Sequence, residues 1–481
     1  MKEDLLYYIW AFQQFKPKKL KTANGMPIKI VNKGTRNNHA GPDFLEATLC
    51  LNGKVHRGSI EMHVKSSDWY AHAHQKDPAY KNVILHVVWE HNKLVQVDNR
   101  VVPTLVLSGY VASSLLGRYQ MLMEAQHPIA CRAQLPLITQ AQWQKVAKRA
   151  LVQKLNSRYN KIAGWLARYN NDSEEATYRA LAYNFGFNVN STPFLALSEK
   201  VPLKLVYKYN NDLLCLEALF FGQAGFLSEV PRKCAYLSLL VARYTYLKKR
   251  HKLPTPLARS SWHFFRLRPA NFPTIRIAQF AAFLHKKTSL FHTMMHYPYQ
   301  KSYKDMTLKQ SAYWQKHYLI GKQAQQPIPG LGKSSLHNIL INTTVPLLVA
   351  YGKIRGDVVY IRKAMALLRQ LPPERNKLTK QWEALGISMK NALETQGGIA
   401  LLKQLCASKK CLSCGIGQTI IAGDDLSKVK PVPKPCATTS SLPALPTYKH
   451  MPVKISKLEQ KVQALLKTFH YTGTCQLSLK R

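Results

Sequence analysis

Up to about residue 110 the chain carries short β-like segments, some alternating apolar and polar side chains, and beyond it the apolar residues recur at helical spacing. The segment Gly58–Lys65 shows the first period most clearly, with Ile60, Met62 and Val64 on one face and Glu61, His63 and Lys65 on the other. Strands are expected over 28–32, 45–51, 55–65, 83–91 and 101–107, with Asn52-Gly53 as the hairpin turn between the second and third. Leu5, Leu6, Ile9 and Phe12 form the stripe of a helix over 2–15, and one short helix is expected within 70–80. The order helix, three strands, helix, strand predicts an α/β or α+β module over 1–110.

The region 111–405 reads as mostly helical, as in 143–165 and 213–227, with proline breaks near 254, 269, 327 and 372. A cysteine-containing segment occupies 406–437, and 438–481 holds a linker and a last helix. The linker, richest in Pro, Lys, Ser and Thr over 425–450, precedes a Ser456–Glu459 capping box. Leu458, Val462, Leu465 and Phe469 then make that helix amphipathic, as a docking or packing element. With 481 residues, more than one core is required.

Charge sets the partner class. The chain carries 69 Lys plus Arg against 25 Asp plus Glu, a net +44, and a field of that size concentrates phosphates and releases their counterions. Residues 1–100 hold 15 basic and 9 acidic side chains, so only +6 resides there and +38 falls on the rest. Nucleic acid is the expected partner, and the acids of the first module are comparatively enriched. No apolar run approaches the ~18 residues that span a bilayer, and no membrane partner is expected. The start MKEDLLYYIWAFQQF has acids where an export signal needs basic then apolar residues. The nine cysteines are dispersed except near the C-terminus, which fits a reducing cytoplasm.

Two constellations in the first module carry chemistry. Asp43, in Gly41-Pro-Asp43-Phe44, stands just before the second long strand, where a turn aims its carboxylate across the sheet towards Glu61. Two carboxylates meeting over a sheet suit Mg²⁺ or Mn²⁺. Hydrolysis of an anionic phosphodiester needs such a cation to neutralise charge and lower the pKa of the attacking water. His63 or Lys65 would then stabilise charge or move a proton. The second constellation is His72, His74, Asp77 and His86, which with His63 has the composition of a Zn²⁺ or Mn²⁺ site.

The first of these resembles the PD-(D/E)XK nuclease superfamily, in which an aspartate precedes the second strand and an acid-x-lysine pair lies on the third. The resemblance implies a restriction-endonuclease-like module with Asp43 and Glu61 holding the cation. The chain departs from the pattern at His63, where lysine is expected, and places Lys65 two positions later. A second resemblance rests on GPDFLEATL and GSIEMHVKSSDWYAHAHQKDPAYKNVILHVV, with Glu217–Gly225, Arg266–Arg276 and Cys411–Gly417. Together these are similar to a bacterial family catalogued as a domain of unknown function, to about residue 420, and imply no activity.

The helical region adds a basic, aromatic phrase in which Arg266, Arg268 and Arg276 alternate with phenylalanines, a pattern suited to phosphate clamping and base stacking. Lys333, in Gly330-Leu-Gly-Lys-Ser-Ser335, fails the phosphate-loop pattern because Pro327 stands where its first glycine belongs, and is expected instead as a basic residue at a helix start that contacts nucleic acid. Cys406, Cys411 and Cys414, with Cys436 as a fourth ligand, suit structural zinc or an iron–sulfur cluster, or remain reduced thiols. The leading expectation is a metal-dependent nucleic-acid phosphodiesterase. Its alternatives are a non-catalytic nucleic-acid-binding or assembly protein with a degenerate nuclease-like fold, and a His-rich metallohydrolase acting on a small substrate.

Overall fold

The computed structural model describes residues 1–17, 19–228, 234–296 and 309–423. The expected linker, the terminal helix and Cys436 lie outside them. The described residues form two compact units, the first built from Met1–Ala150, Asn376–Ser388 and the chain from Gly397 onward, the second from Leu151–Arg375 and Met389–Gln396. This division differs from a linear split at 110 and 405. Later segments join the first unit through contacts such as Trp143 with Trp382, rings 5.5 Å apart, and Trp382 Nε1 donating to the Gly398 carbonyl at 3.0 Å.

The first unit begins with α1 (Glu3–Phe12), followed by β1 (Ile28–Asn32), β2 (Thr35–Arg36), β3 (Phe44–Leu51) and β4 (Lys54–Lys65). After α2 (Asp68–Ala71) come β5 (Val83–Glu90), β6 (Gln96–Val97), β7 (Arg100–Val101) and β8 (Thr104–Val106), then α3 (Ser113–Glu124) and the part of α4 (Gln140–Arg168) up to Ala150. The main sheet runs β1-β3-β4-β5-β8, with β2 also paired to β3. Pairs β1/β3 and β3/β4 are antiparallel; β4/β5 and β5/β8 are parallel. Asn52 and Gly53 both have positive φ, 47° and 81°, as the expected two-residue hairpin requires. The expected strand over 101–107 is split between β7 and β8.

A parallel pair needs a crossover, and residues 66–82 supply it. They form α2 and two 3-10 turns, His74–Lys76 and Pro78–Tyr80, in place of the single helix expected over 70–80. Ala73 at φ 58° and the proline at 78 break that helix. Gly58 lets the crossover return close to β4, since a Cβ there would meet the Asn82 carbonyl oxygen at 2.5 Å. Ile60 and Met62 are fully buried, and α1 packs on β4 through this strand's neighbourhood with Leu5, Leu6, Ile9 and Trp10 buried.

The second unit is helical apart from a two-stranded ribbon, with α5 (Ser173–Phe185), α6 (Ser191–Lys200), α7 (Leu203–Lys208), α8 (Leu213–Gln223), α9 (Ala235–Arg250), α10 (Pro273–Leu284) and α11 (Leu290–His296) among its helices. Asp172 and Asp212 cap α5 and α8 by accepting from backbone amides of the first turn. The core closes around Phe280, whose ring lies 4.8 to 6.1 Å from those of Tyr178, Phe185, Phe194 and Phe220. The helix expected over 213–227 stops at Gln223, and Gly225 at φ 79° turns the chain.

Glu217 is 1% exposed on α8 and accepts a 2.8 Å hydrogen bond from the Tyr236 hydroxyl. Burial pushes its carboxyl from the ordinary 4.5 up to about 7. Because the folded value is the higher one, its contribution to stability is full below pH 4.5 and is lost as pH rises through about 7. The expected loss is about 3 kcal/mol. Denaturant titrations at several pH values should show this slope in the wild type and a flat profile in Glu217→Gln; equal slopes would place the titrating group elsewhere.

Candidate functional site

The parallel register of β4 on β5 sets Glu61 beside His86 and His63 beside Val88, and β8 sets Thr104 beside His86. Alternation along β4 turns Glu61 and His63 to the same side, yet both are buried, at 5% and 1% exposure. The crossover covers them. Trp69, fully buried on α2, packs edge-on to His63, His74 and His86, and Tyr80 stacks on His74 with ring centres 3.8 Å apart.

This cover brings His72 and His74 down onto the strand. His63 Nε2 lies 3.1 Å from His72 Nδ1, while His63 Nδ1 lies 2.9 Å from His86 Nε2. Glu61 Oε1 lies 3.3 Å from His74 Nε2 and 3.7 Å from His63 Nε2. One ligand atom from each of His63, His72 and His74 falls within 4.8 Å of the others. His86 stands behind, hydrogen-bonded to His63 and fully buried, in the position of a group that orients a ligand.

Glu61 joins this set to a second one. Its Oε2 accepts from the Asp43 amide at 3.0 Å, and Asp43 Oδ2 accepts from the Met62 amide at 3.1 Å. Asp43 Oδ1 receives Arg36 Nη1 at 2.7 Å, and Arg36 lies over the Tyr7 ring at 3.5 Å. Tyr7 also donates to Glu3 Oε2 at 3.4 Å. Asp43 and Glu61 are thus each tied to the other's strand through a backbone amide, with Glu3 and Arg36 as neighbours that sequence reading missed. Arg36 sits on a two-residue strand, too short for any periodic signal.

Burial dominates the electrostatics of Glu61, Asp43, His63, His74 and His86. Burial, then the charge of Asp43, pushes Glu61 up to about 9, so at neutral pH it is protonated unless a cation replaces the proton. Burial also raises Asp43, against the opposing pull of Arg36. Burial followed by neighbouring imidazoles lowers His63 to about 3 and His74 to about 4, and holds His86 well below the usual range. These rings are neutral at pH 7. Their contacts with Glu61 are therefore not ion pairs, and their lone pairs suit a metal. Bonds of ~2.0–2.1 Å to nitrogen imply tetrahedral edges of ~3.3 Å, close to the 3.1 Å between His63 and His72.

Other predicted residues fall outside this set. Lys65 is exposed at the end of β4, its amide bonded to Asp68, and its ammonium makes no ion pair among the described residues. Asp77 is exposed, and its carboxylate accepts from the Ala79 amide as a turn cap. In the second unit Arg266 and Arg268 are exposed, and Arg266 lies over Phe265, itself 80% exposed. Arg276 packs within its own unit. It is half-buried, donates to Gln279 at 2.8 Å and Asn271 at 2.7 Å, and lies 4.0 Å over the Phe187 ring. Lys333 is exposed at the first turn of the helix Lys333–Ile339, capped by Gly332. Cys411 and Cys414 are buried and Cys406 half-buried in the first unit, all free thiols.

A family model described as "Protein of unknown function (DUF2851)" matches residues 3–377. The phrase Cys411–Gly417 lies beyond the matched segment. No curated protein and no solved structure matches the chain.

Proposed function

Because the chain belongs to this family, whose description carries no activity, its chemistry has to be read from the site, and we propose that the first unit is a metal-dependent phosphodiesterase acting on nucleic acid. The observation that carries the reading is the position of Glu61, one oxygen against the Asp43 amide and the other against His74 and His63. His63, His72 and His74, with Glu61 beside them, would hold a divalent transition-metal ion, and Zn²⁺ or Mn²⁺ suits such an imidazole and carboxylate set. Such an ion would supply positive charge to the phosphodiester and lower the pKa of the attacking water.

The chain's own residues divide the remaining work. Asp43 fixes the Glu61 carboxylate through its amide, and His86 holds the His63 ring. Lys65, exposed beside the site's strand, is the cation left for the scissile phosphate. Asp43 before β3, Glu61 within β4 and the parallel return to β5 also support the nuclease-like reading of the fold. The net charge of +44 supports a polymer over a small substrate.

One observation favours a second reading, a nucleic-acid-binding protein without turnover. Arg36 already neutralises Asp43 at 2.7 Å. Incubation of the purified protein with single- and double-stranded DNA and RNA, with Mn²⁺, Mg²⁺ or a chelator, separates the two. Cleavage supported by Mn²⁺ and removed by the chelator is expected. Tight binding with no cleavage of any substrate would sink the enzyme and leave the binding protein.

A further inference from the structure

In the second unit, the chain between α9 and α10 (residues 251–272) is pinned at its root and lifts one aromatic ring off the surface at its tip. Trp262 is 4% exposed, its Nε1 donates to the Ala224 carbonyl at 2.9 Å, and its ring centre lies 5.4 Å from that of Phe194. Asn190 grips the backbone of His263 twice, its Nδ2 donating to the carbonyl and its Oδ1 accepting from the amide, both at 2.9 Å. Phe264 turns inward, with ring centres 6.1 Å from Phe226 and 5.2 Å from Phe272. Beyond the tip, Arg276 Nη2 donates to Asn271 Oδ1 at 2.7 Å, so both sides are held.

Between these anchors the Leu267 amide donates to the Phe264 carbonyl at 3.2 Å, closing a β-turn with Phe265 and Arg266 at its corner. Arg266 has φ 60° at the third position of the turn, where positive φ favours glycine. Phe265 beside it is 80% exposed, more than any other large apolar side chain among the described residues, and the Arg266 guanidinium lies 5.0 Å from its ring centre. Neither residue serves the fold. Glycine at 266 would adopt the turn without strain, and a polar side chain at 265 would forfeit no burial. A ring held in water by anchored neighbours is preorganised for a flat partner.

Charge selects the class of that partner. Residues 230–304 hold 15 Lys and Arg and no Asp or Glu, and Arg259, Arg266 and Arg268 of this loop are exposed. A phosphate polymer matches such a surface, and an exposed ring flanked by guanidinium groups is the means by which unpaired bases are held. A duplex keeps its bases stacked on one another, out of reach of a single ring. We propose that the tip is a single-strand contact: Phe265 stacks on an unpaired base while Arg266 and Arg268 hold the adjacent phosphates. This rests on the nucleic-acid reading above and adds the state of the strand to it. It requires no turnover at the metal site.

The test is binding of the full chain, with chelator present to prevent cleavage, to oligothymidylate, to an abasic strand of equal length and to a duplex of equal length. Phe265→Ala should lose about tenfold in affinity for oligothymidylate and nothing for the abasic strand or the duplex. Its unfolding temperature should match the wild type, because the ring is exposed. Phe265→Trp should restore the affinity, and the fluorescence it adds should be quenched by oligothymidylate and not by the abasic strand. Arg266→Gly should unfold no earlier than the wild type yet weaken binding of both single strands alike, as the loss of a phosphate contact from a strained position requires. Phe265→Ala with wild-type affinity for oligothymidylate, or with an equal loss on the duplex, would overturn the stacking contact and leave the nucleic-acid reading standing. A wild type that binds none of the three would remove both.

Discussion

Glu61→Gln is expected to abolish Mn²⁺-supported cleavage, a rate loss of about a hundredfold or more, while nucleic-acid affinity stays at the wild-type level. The substitution keeps the shape of the side chain, and its amide oxygen still accepts from the Asp43 backbone amide that Glu61 Oε2 binds at 3.0 Å. What it removes is the negative charge between the two halves of the site. A neutral amide cannot balance a divalent ion in a pocket where Glu61 is only 5% exposed. Metal affinity and turnover should therefore fall together. Binding should not follow, because the basic surface that attracts phosphates is untouched. His63→Ala and Lys65→Ala resolve the assisting group: the first should cost metal as well as rate, the second rate alone. Wild-type turnover in Glu61→Gln would show that the reaction, if present, uses another centre.

Nucleic-acid affinity is expected to collapse with salt, by about a thousandfold or more between 50 and 200 mM, if six to ten phosphates are contacted. The net +44 is carried mainly outside the first hundred residues, which hold only +6. Neutralised phosphates release their counterions, so the slope of log affinity against log salt counts contacts. Arg266→Ala and Arg268→Ala should each reduce that slope by about one, since both side chains are exposed. Arg276→Ala should leave the slope alone and lower the thermal stability of the second unit, because its guanidinium is spent on Gln279, Asn271 and the Phe187 ring. Affinity indifferent to salt would remove the polyanion reading, and a slope change in Arg276→Ala would make that residue a phosphate contact.

The local features were legible because they are encoded locally. The alternation of 58–65, the positive-φ pair at Asn52-Gly53 and the placement of Glu61 and His63 on one side of β4 follow from backbone geometry within a few residues. The change of period near residue 110 likewise marked the passage from sheet to helices. Asp43 was placed correctly before β3, since a turn must precede that strand.

Convergence was another matter. Which histidines meet Glu61 depended on how the crossover folds back, and that turned on a left-handed Ala73 and a stacked Tyr80, neither of which leaves a periodic trace. The same limit hid Arg36 behind Asp43, and the Ala79 amide that donates to the Asp77 carboxylate. Sequence periodicity fixes which way a side chain points within its own element. Strand register, chain return and burial decide what it meets there, because those depend on packing between residues far apart along the chain.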